Sequence, residues 1–244
     1  MAMLRDDYDK LQEVAKAEFQ EPFFFQSGYT DRFPRGFAKL KMDGTTAIEK
    51  HNIFTDLNKG IFIDIFVYDV IPADEARVNE LIERVHVKGE RLKRFRYDSY
   101  KFFHPFYSFK LFLEKLPIYI KGFKAYFSEY ESLLKHHSGN DVACIGLSPM
   151  DLNHFRRSLL LYNETLYVPF EDIMMPIPSG YDTILRTQYG DYMTPVQAPS
   201  MHSILIFDAD HSYLDYLPEL RRKKRRERWR DRKNYLLYLL RLKR

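Results

Sequence analysis

Gly60-Ile61-Phe62-Ile63-Asp64-Ile65-Phe66-Val67-Tyr68-Asp69-Val70-Ile71-Pro72 is the stretch on which the fold turns. Its β-branched and aromatic residues occupy both parities, the pattern of a strand covered on two faces, and Asp64 stands in its middle. A carboxylate between Ile63 and Ile65 loses hydration, which is unfavourable unless a cation or donor compensates it. A bound divalent metal would do so. Backbone or arginine hydrogen bonds to a strand-end carboxylate would do so equally well. Asp69, near the end of the run, is expected as a turn or helix cap.

Upstream of this strand, Tyr8, Leu11, Val14, Ala15 and Phe19 recur at helical spacing, and Asp6, Asp7 and Asp9 lie in the first turn, where the helix dipole favours acids. The spacing predicts that the chain opens with a helix over Arg5 to Phe19, ended by Pro22. Short strands follow at Phe23 to Gln26, Phe37 to Met42 and Thr45 to Glu49, with Asp43-Gly44 suggesting a tight hairpin between the last two.

Downstream, Val78, Leu81, Ile82 and Val85 mark an amphipathic helix with Asp74 and Glu75 in its first turn. An aromatic-rich helical region covers about Tyr107 to Lys135, with a kink expected at Pro117. His136-His137 reads as a solvated helix end. Beyond Ser148 the prolines at 149, 169, 176, 178, 195 and 199 predict brief strands and ordered loops, with one short helix from Tyr181 to Gln188.

The 244 residues are 45% apolar and 16% aromatic, enough for a continuous core and unlike a disordered or low-complexity chain. The single cysteine, Cys144, cannot form an intramolecular disulfide, which fits a reducing compartment. Arg221 to Lys233 holds ten Lys or Arg and two acids, a net +8, against +4 for the whole chain, so the body is mildly acidic at 4 − 8 = −4. No apolar run reaches the roughly 18 residues of a transmembrane helix, because Glu114, Lys115, Lys121 and Lys124 interrupt the greasiest region. The first residues lack the apolar core of a signal peptide.

Lys39 and Lys41 alternate in Phe37-Ala38-Lys39-Leu40-Lys41-Met42, so a strand there puts both ammonium groups on one face, where they could hold a diphosphate. An exposed sheet face would show the same alternation. A second acidic cluster, Ile204-Leu205-Ile206-Phe207-Asp208-Ala209-Asp210-His211 with His202 nearby, has the Asp-x-Asp form that nucleotide-sugar glycosyltransferases use to hold a metal against a diphosphate. Phosphate-cradling glycine loops, a Gly-x-Ser-x-Gly elbow and a His-Glu-x-x-His pair are absent from the sequence, which removes those enzyme classes.

Taken in order, Leu4-Arg5-Asp6-Asp7-Tyr8-Asp9-Lys10-Leu11, Lys39-Leu40-Lys41 with Thr45-Thr46, Gly60 to Phe66 with Asp69, Val168-Pro169-Phe170-Glu171, Ile177-Pro178-Ser179-Gly180-Tyr181 and Tyr189-Gly190-Asp191-Tyr192-Met193 resemble the LicD-like phosphotransferases. These relatives of fukutin move phosphocholine or a polyol phosphate from a cytidine diphosphate (CDP)-linked donor onto a glycan. The resemblance covers residues 3 to about 216 and implies an α+β fold, a nucleotidyltransferase-like mixed sheet flanked by helices. It divides the chain into an enzyme-like domain at 1–217 and a basic amphipathic tail at 218–244.

By the same resemblance, Asp64 is the expected metal ligand for Mg²⁺ or Mn²⁺ and the catalytic carboxylate. Lys39 and Lys41, with Arg35 beside them, are the expected contacts of the donor phosphates. The family places a Trp-Asp-Asp-Asp-Ile-Asp type motif just ahead of the segment that begins here at Met1. Its absence suggests either an upstream extension or a truncated, inactive relative, and the retained body features favour the first. As it stands the chain is expected to bind metal weakly and to turn over negligibly, with a catalytically silent scaffold of the same fold as the alternative and an Asp208/Asp210 glycosyltransferase as the second. Near the C-terminal acids, His202, Asp208, Asp210 and Tyr213 loosely echo the family.

The expected partners are the CDP-linked donor, a glycan or lipid-linked glycan acceptor of the lipopolysaccharide or teichoic acid kind, and an anionic membrane surface met by 221–244. A solvated or oligomer-packing helix and nucleic acid are the other readings of that tail. The expected place is the cytoplasm, peripheral to the inner face of the cell membrane.

Overall fold

The structure is a computed structural model that describes residues 1–72, 74–98, 105–135, 143–145, 157–197 and 204–242. His136, His137 and His202 lie outside the described residues. The chain is a mixed α+β protein with helices packed around small sheets.

It opens with a strand rather than a helix. β1 (Ala2–Leu4) runs parallel to the central strand, with Ala2 opposite Phe66 and Leu4 opposite Tyr68. Three residues carry too little pattern to be read as a strand, and only the distant partner defines them. α1 (Arg5–Glu18) follows at once, with Asp6 and Asp7 in its first turn as expected.

β2 (Phe23–Gln26), β3 (Ala38–Met42) and β5 (Ile61–Val70) build the rest of the main sheet in the order β1-β5-β3-β2, antiparallel after the first pair. β6 (Ala143–Ile145) pairs with Tyr68 to Val70 of β5. The expected hairpin at Asp43-Gly44 does not form. Gly44 takes a left-handed φ of 79° and Thr45 Oγ1 donates to the Met42 carbonyl at 2.5 Å, which turns the chain out of the sheet. β4 (Thr46–Glu49) therefore leaves β3 and pairs antiparallel with β9 (Ile204–Asp208), far away in sequence.

β5 is less enclosed than its composition suggests, since Ile63 is 51% exposed. Its odd residues Ile65 and Val67 pack with Tyr8 and Ala15 of α1, Phe25 and Ala38. Its even residues face the other way, where Phe66 joins Phe33, Phe37, Leu57 and Tyr97.

α2 (Glu75–Tyr97) begins on Asp74, whose side chain accepts from the Arg77 amide at 2.8 Å. The aromatic region forms two helices, α3 (Pro105–Lys121) and α4 (Phe123–Lys135). The break falls at Gly122, with φ 82°, and not at Pro117, which stays inside α3. Val78, Leu81, Val85 and Leu92 of α2 meet Ile118 of α3 and Phe123, Phe127 and Tyr130 of α4 in one core.

β7 (Thr165–Phe170) and β8 (Ile173–Pro178) form a hairpin, and α5 (Tyr181–Tyr189) matches the expected short helix. α6 (Tyr213–Leu242) runs unbroken through Pro218, so the boundary read at 217/218 falls inside one helix. Its first turns are docked: Leu217, Tyr213, Tyr216 and Leu220 pack on Ile48, Ile53 and Ile206. Arg221 then donates to the carbonyls of Ile53 at 2.7 Å and Thr55 at 2.9 Å.

Candidate functional site

Strand register decides which predicted residues meet. Lys39 lies opposite Asp64 on β5 and opposite Gln26 on β2, while Lys41 lies opposite Phe62 and Phe24. Directly opposed residues share a face, so Lys39, Lys41, Phe62 and Asp64 stand together on the even side of β5. Both lysines are buried, Lys39 at 5% and Lys41 at 1% exposure, which sets them apart from the solvated sheet face that the alternation alone allowed.

Four contacts hold the ammonium groups there. Lys39 Nζ sits 3.2 Å from Asp64 Oδ1. Both lysines lie over the Phe62 ring, Lys39 Nζ at 3.5 Å and Lys41 Nζ at 4.1 Å from its centroid, where the negative π face attracts cations. Lys41 Nζ also donates to the Gly60 carbonyl at 3.3 Å. Burial, with Lys39 beside it, pushes the Lys41 pKa down to about 7, against the pull of Glu49 and Asp64.

Arg35 belongs to the same neighbourhood through residues that the sequence did not point to. It hydrogen-bonds Tyr97, whose hydroxyl pKa burial raises to about 12. The Tyr97 ring meets His51 edge-on, with centroids 4.8 Å apart. Burial lowers the His51 pKa, and Arg35, Lys39 and Lys41 lower it further while Glu49, 3.8 Å from His51 Nε2, opposes them. Three basic side chains thus act on one imidazole. Phe62 could have been found from its shared parity with Asp64; His51 and Tyr97 carry no sequence signal, because loops and a helix end far apart in the chain bring them in.

Asp64 differs from the expectation in one respect. Its Oδ1 is buried, and its ammonium contact lacks hydrogen-bond geometry, so that oxygen has no hydrogen bond. An unbonded buried carboxylate oxygen suits a cation ligand, but a hard divalent ion takes six or more oxygens, and Lys39 already occupies this one electrostatically. Among the described residues no group of three His, Cys, Asp or Glu side chains converges to hold a metal. The described residues by themselves do not fit a tightly bound Mg²⁺ or Mn²⁺.

Asp69 is not a cap. It is fully buried in β5 on the opposite face from Asp64, and accepts from Arg5 Nε at 2.6 Å and Nη2 at 2.8 Å. Arg5 Nη1 reaches Glu131 of α4 at 3.5 Å, and Tyr29 donates to the other oxygen of Glu131 at 2.6 Å. Burial raises the Asp69 pKa and the guanidinium opposes that rise. This network ties α1, β5 and α4 together.

Asp208 and Asp210 lie on the separate β4–β9 ribbon. Asp208 accepts from the amides of Asp210 at 2.8 Å and His211 at 3.1 Å, and from the hydroxyl of Tyr216; its Oδ2 also lies 3.0 Å from His211 Nδ1. The Tyr216 hydroxyl and these amides hold its pKa down to about 2. Such a carboxylate closes a turn before α6. A cavity of about 420 Å³ lies between α1, β2 and α4, lined by Phe19, Phe23, Phe25, Gln12, Lys16 and Lys135 among others, and includes none of the predicted residues.

No protein-family model, no curated protein and no solved structure matches this chain. The geometry of the lysine face is therefore what any reading must rest on. No described helix is long and apolar enough to cross a membrane.

Proposed function

We propose that the even face of β5 is a diphosphate-binding surface of a LicD-like transferase, built to hold a CDP-linked phosphocholine or polyol phosphate donor for delivery to a cell-surface glycan. The observation that carries this reading is the buried pair Lys39 and Lys41 stacked over one phenylalanine beside Asp64. Burying two ammonium groups is unfavourable, and among the described residues one carboxylate, Asp64, meets them at contact distance. A dianionic phosphate group supplies the missing negative charge, with Arg35 adding a planar donor at the rim. The nucleotidyltransferase-like sheet belongs to this proposal, supported by the central strand with its mid-strand carboxylate and the parallel strand beside it.

In this reading Lys39 and Lys41 neutralise charge on the transferring group and hold it in line, the part of phosphoryl transfer that proteins supply by positioning. Asp64 orients Lys39, and its Oδ1, in contact with that ammonium group but without a hydrogen bond, could accept from the acceptor hydroxyl. The Met1 amino group donates to the Asp64 carbonyl at 3.0 Å, and the Phe66 amide donates to the Met1 carbonyl at 2.9 Å, so any residue joined ahead of Met1 on β1 would run alongside Asp64.

A second reading is a catalytically silent binding protein of the same fold. It is favoured by the Lys39–Asp64 pair being closed already and by the lack of three converging metal ligands among the described residues. For residues 1–244 we expect weak metal affinity and negligible transfer in either case. Titration calorimetry with CDP-choline and with pyrophosphate, with and without Mg²⁺, tests the proposal. Binding weakened at least about tenfold, roughly 1.4 kcal/mol, by Lys41→Met supports it. Absence of binding by either anion sinks it, and CDP-choline turnover by this chain that Asp64→Asn abolishes would refute the silent reading.

A further inference from the structure

α3 is apolar on the face it exposes to water as well as on the face it buries. Along its 17 residues Phe106, Phe109, Leu113 and Ile120 share one face at helical spacing, and that face points to solvent, with Phe106 83% and Ile120 74% exposed. Phe112 and Tyr119 flank it and are exposed as well. The inward face carries Leu111, Ile118 and a lysine: Lys115 is 4% exposed and its Nζ donates to the Asp98 carbonyl at 2.6 Å. A helix that buries a lysine and exposes four large apolar side chains on one stripe leaves a contiguous greasy surface of the kind that marks an interaction site.

Charge identifies what that surface meets. The exposed charged residues of α3 are Lys110 and Lys121, the latter paired with Glu129 of α4 at 2.6 Å, and Lys124 follows at the start of α4. The one acid of α3, Glu114, is partly buried and bonded to Arg94 at 2.5 Å. An apolar stripe edged by cations fits the boundary between anionic headgroups and acyl chains, where the stripe sinks and the lysines stay at the headgroups. A second copy fits poorly, because an isologous contact would bring the same lysines together with no exposed acid of this helix to meet them. At about 1.5 Å per residue the helix spans roughly 25 Å, short of a transmembrane span, so it lies in the plane of the surface.

We propose that α3 is an in-plane membrane-docking helix that inserts Phe106, Phe109, Leu113 and Ile120 into an anionic lipid surface. This inference does not rest on the diphosphate reading, and it assigns insertion to α3 independently of the basic stretch of α6.

Flotation of the full chain with phosphatidylcholine vesicles, with and without phosphatidylglycerol, tests it. The variants are Phe109→Glu/Ile120→Glu and, for the α6 charge, Arg225→Gln/Arg226→Gln. The glutamates replace exposed side chains, and circular dichroism checks that the fold is kept. The expected result is recovery with the phosphatidylglycerol vesicles that falls at least about tenfold in the glutamate variant, since two large apolar side chains no longer insert. The α6 variant should retain most of the binding.

A chain carrying Phe109→Trp and Trp229→Phe should show a blue-shifted emission on those vesicles. Wild type that stays soluble at both compositions overturns the proposal. So does equal flotation of wild type and the glutamate variant, or an unmoved emission. A dimer that the glutamates convert to a monomer, with no vesicle binding, would assign the stripe to self-association instead.

Discussion

Asp64 and Asp69 lie five residues apart on β5 and face opposite sides of the sheet, where each meets a different cation: Lys39 at 3.2 Å and Arg5 at 2.6 and 2.8 Å. The odd separation guarantees opposite faces. The partners give them different roles. The bidentate guanidinium closes Asp69 into a buried structural pair, whereas the single ammonium leaves Asp64 Oδ1 without a hydrogen bond beside two lysines.

The Arg5–Asp69 pair should behave as a buried ion pair in unfolding. Arg5→Met alone leaves the Asp69 carboxylate buried without its cation, while Glu131 keeps its bond from Tyr29, and Asp69→Leu alone leaves the guanidinium its longer contacts to Glu131 at 3.5 Å and Asp9 at 3.7 Å; each should cost about 3–5 kcal/mol in urea denaturation. The double variant should recover most of that loss. Additive losses would show that the two side chains act separately.

Lys41 sets a pH dependence of known sign. Its folded pKa of about 7 lies below the ordinary lysine value of 10.5, so between these pH values the unfolded chain binds more protons than the folded one, and stability should rise with pH across that window. Pyrophosphate binding should run the other way, strengthening as pH falls towards 7 and Lys41 gains its proton. Calorimetry in buffers of different ionisation enthalpy should show proton uptake on binding above pH 7, and Lys41→Met should remove it.

Asp64→Asn separates two roles of one carboxylate. Without metal, removing the negative charge beside Lys39 should tighten pyrophosphate binding several-fold, by roughly 1 kcal/mol. Any increment that Mg²⁺ adds should disappear in the same variant. A loss of metal-free binding would mean that Asp64 acts chiefly by holding Lys39 in place.

The apolar docking of α6 ends near Leu220 and Arg221, and two turns on the Arg228 guanidinium still lies over the Phe54 ring at 4.2 Å. A chain ending at Pro218 loses Leu220 and the two Arg221 bonds to the Ile53 and Thr55 carbonyls, and it should melt several degrees lower. A chain ending at Lys224 keeps these contacts and should melt within about a degree of the full chain. Leu217→Ala, which opens the buried junction with Ile48 and Ile53, should cost about 2–5 kcal/mol.

Local pattern carried much of this. The helix from Arg5, the strands at Phe23, Ala38, Thr46 and Ile61, the helix after Pro72 and the helix at Tyr181 were legible, because side-chain period acts over a few residues, whereas Asp74 proved to be a cap and not a first-turn residue. The hairpin at Asp43-Gly44 misled because a turn dipeptide fixes a change of direction and not the partner strand. The kink expected at Pro117 misled because the residue with a left-handed φ, Gly122, ends the helix instead.

The sequence by itself determined that Lys39 and Lys41 share a face and that Asp64 and Asp69 do not, since strand parity follows from backbone geometry alone. Only the tertiary structure decided which face was buried and which cation met which acid. Those choices depend on pairings such as Lys39 with Asp64 and Arg5 with Asp69, between residues 25 and 64 positions apart, and no local preference encodes them. The exposed apolar stripe of α3 has the same origin: apolar residues recur on two faces of that helix, and packing against α2 and α4 selected the face with Leu111, Lys115 and Ile118 to turn inward.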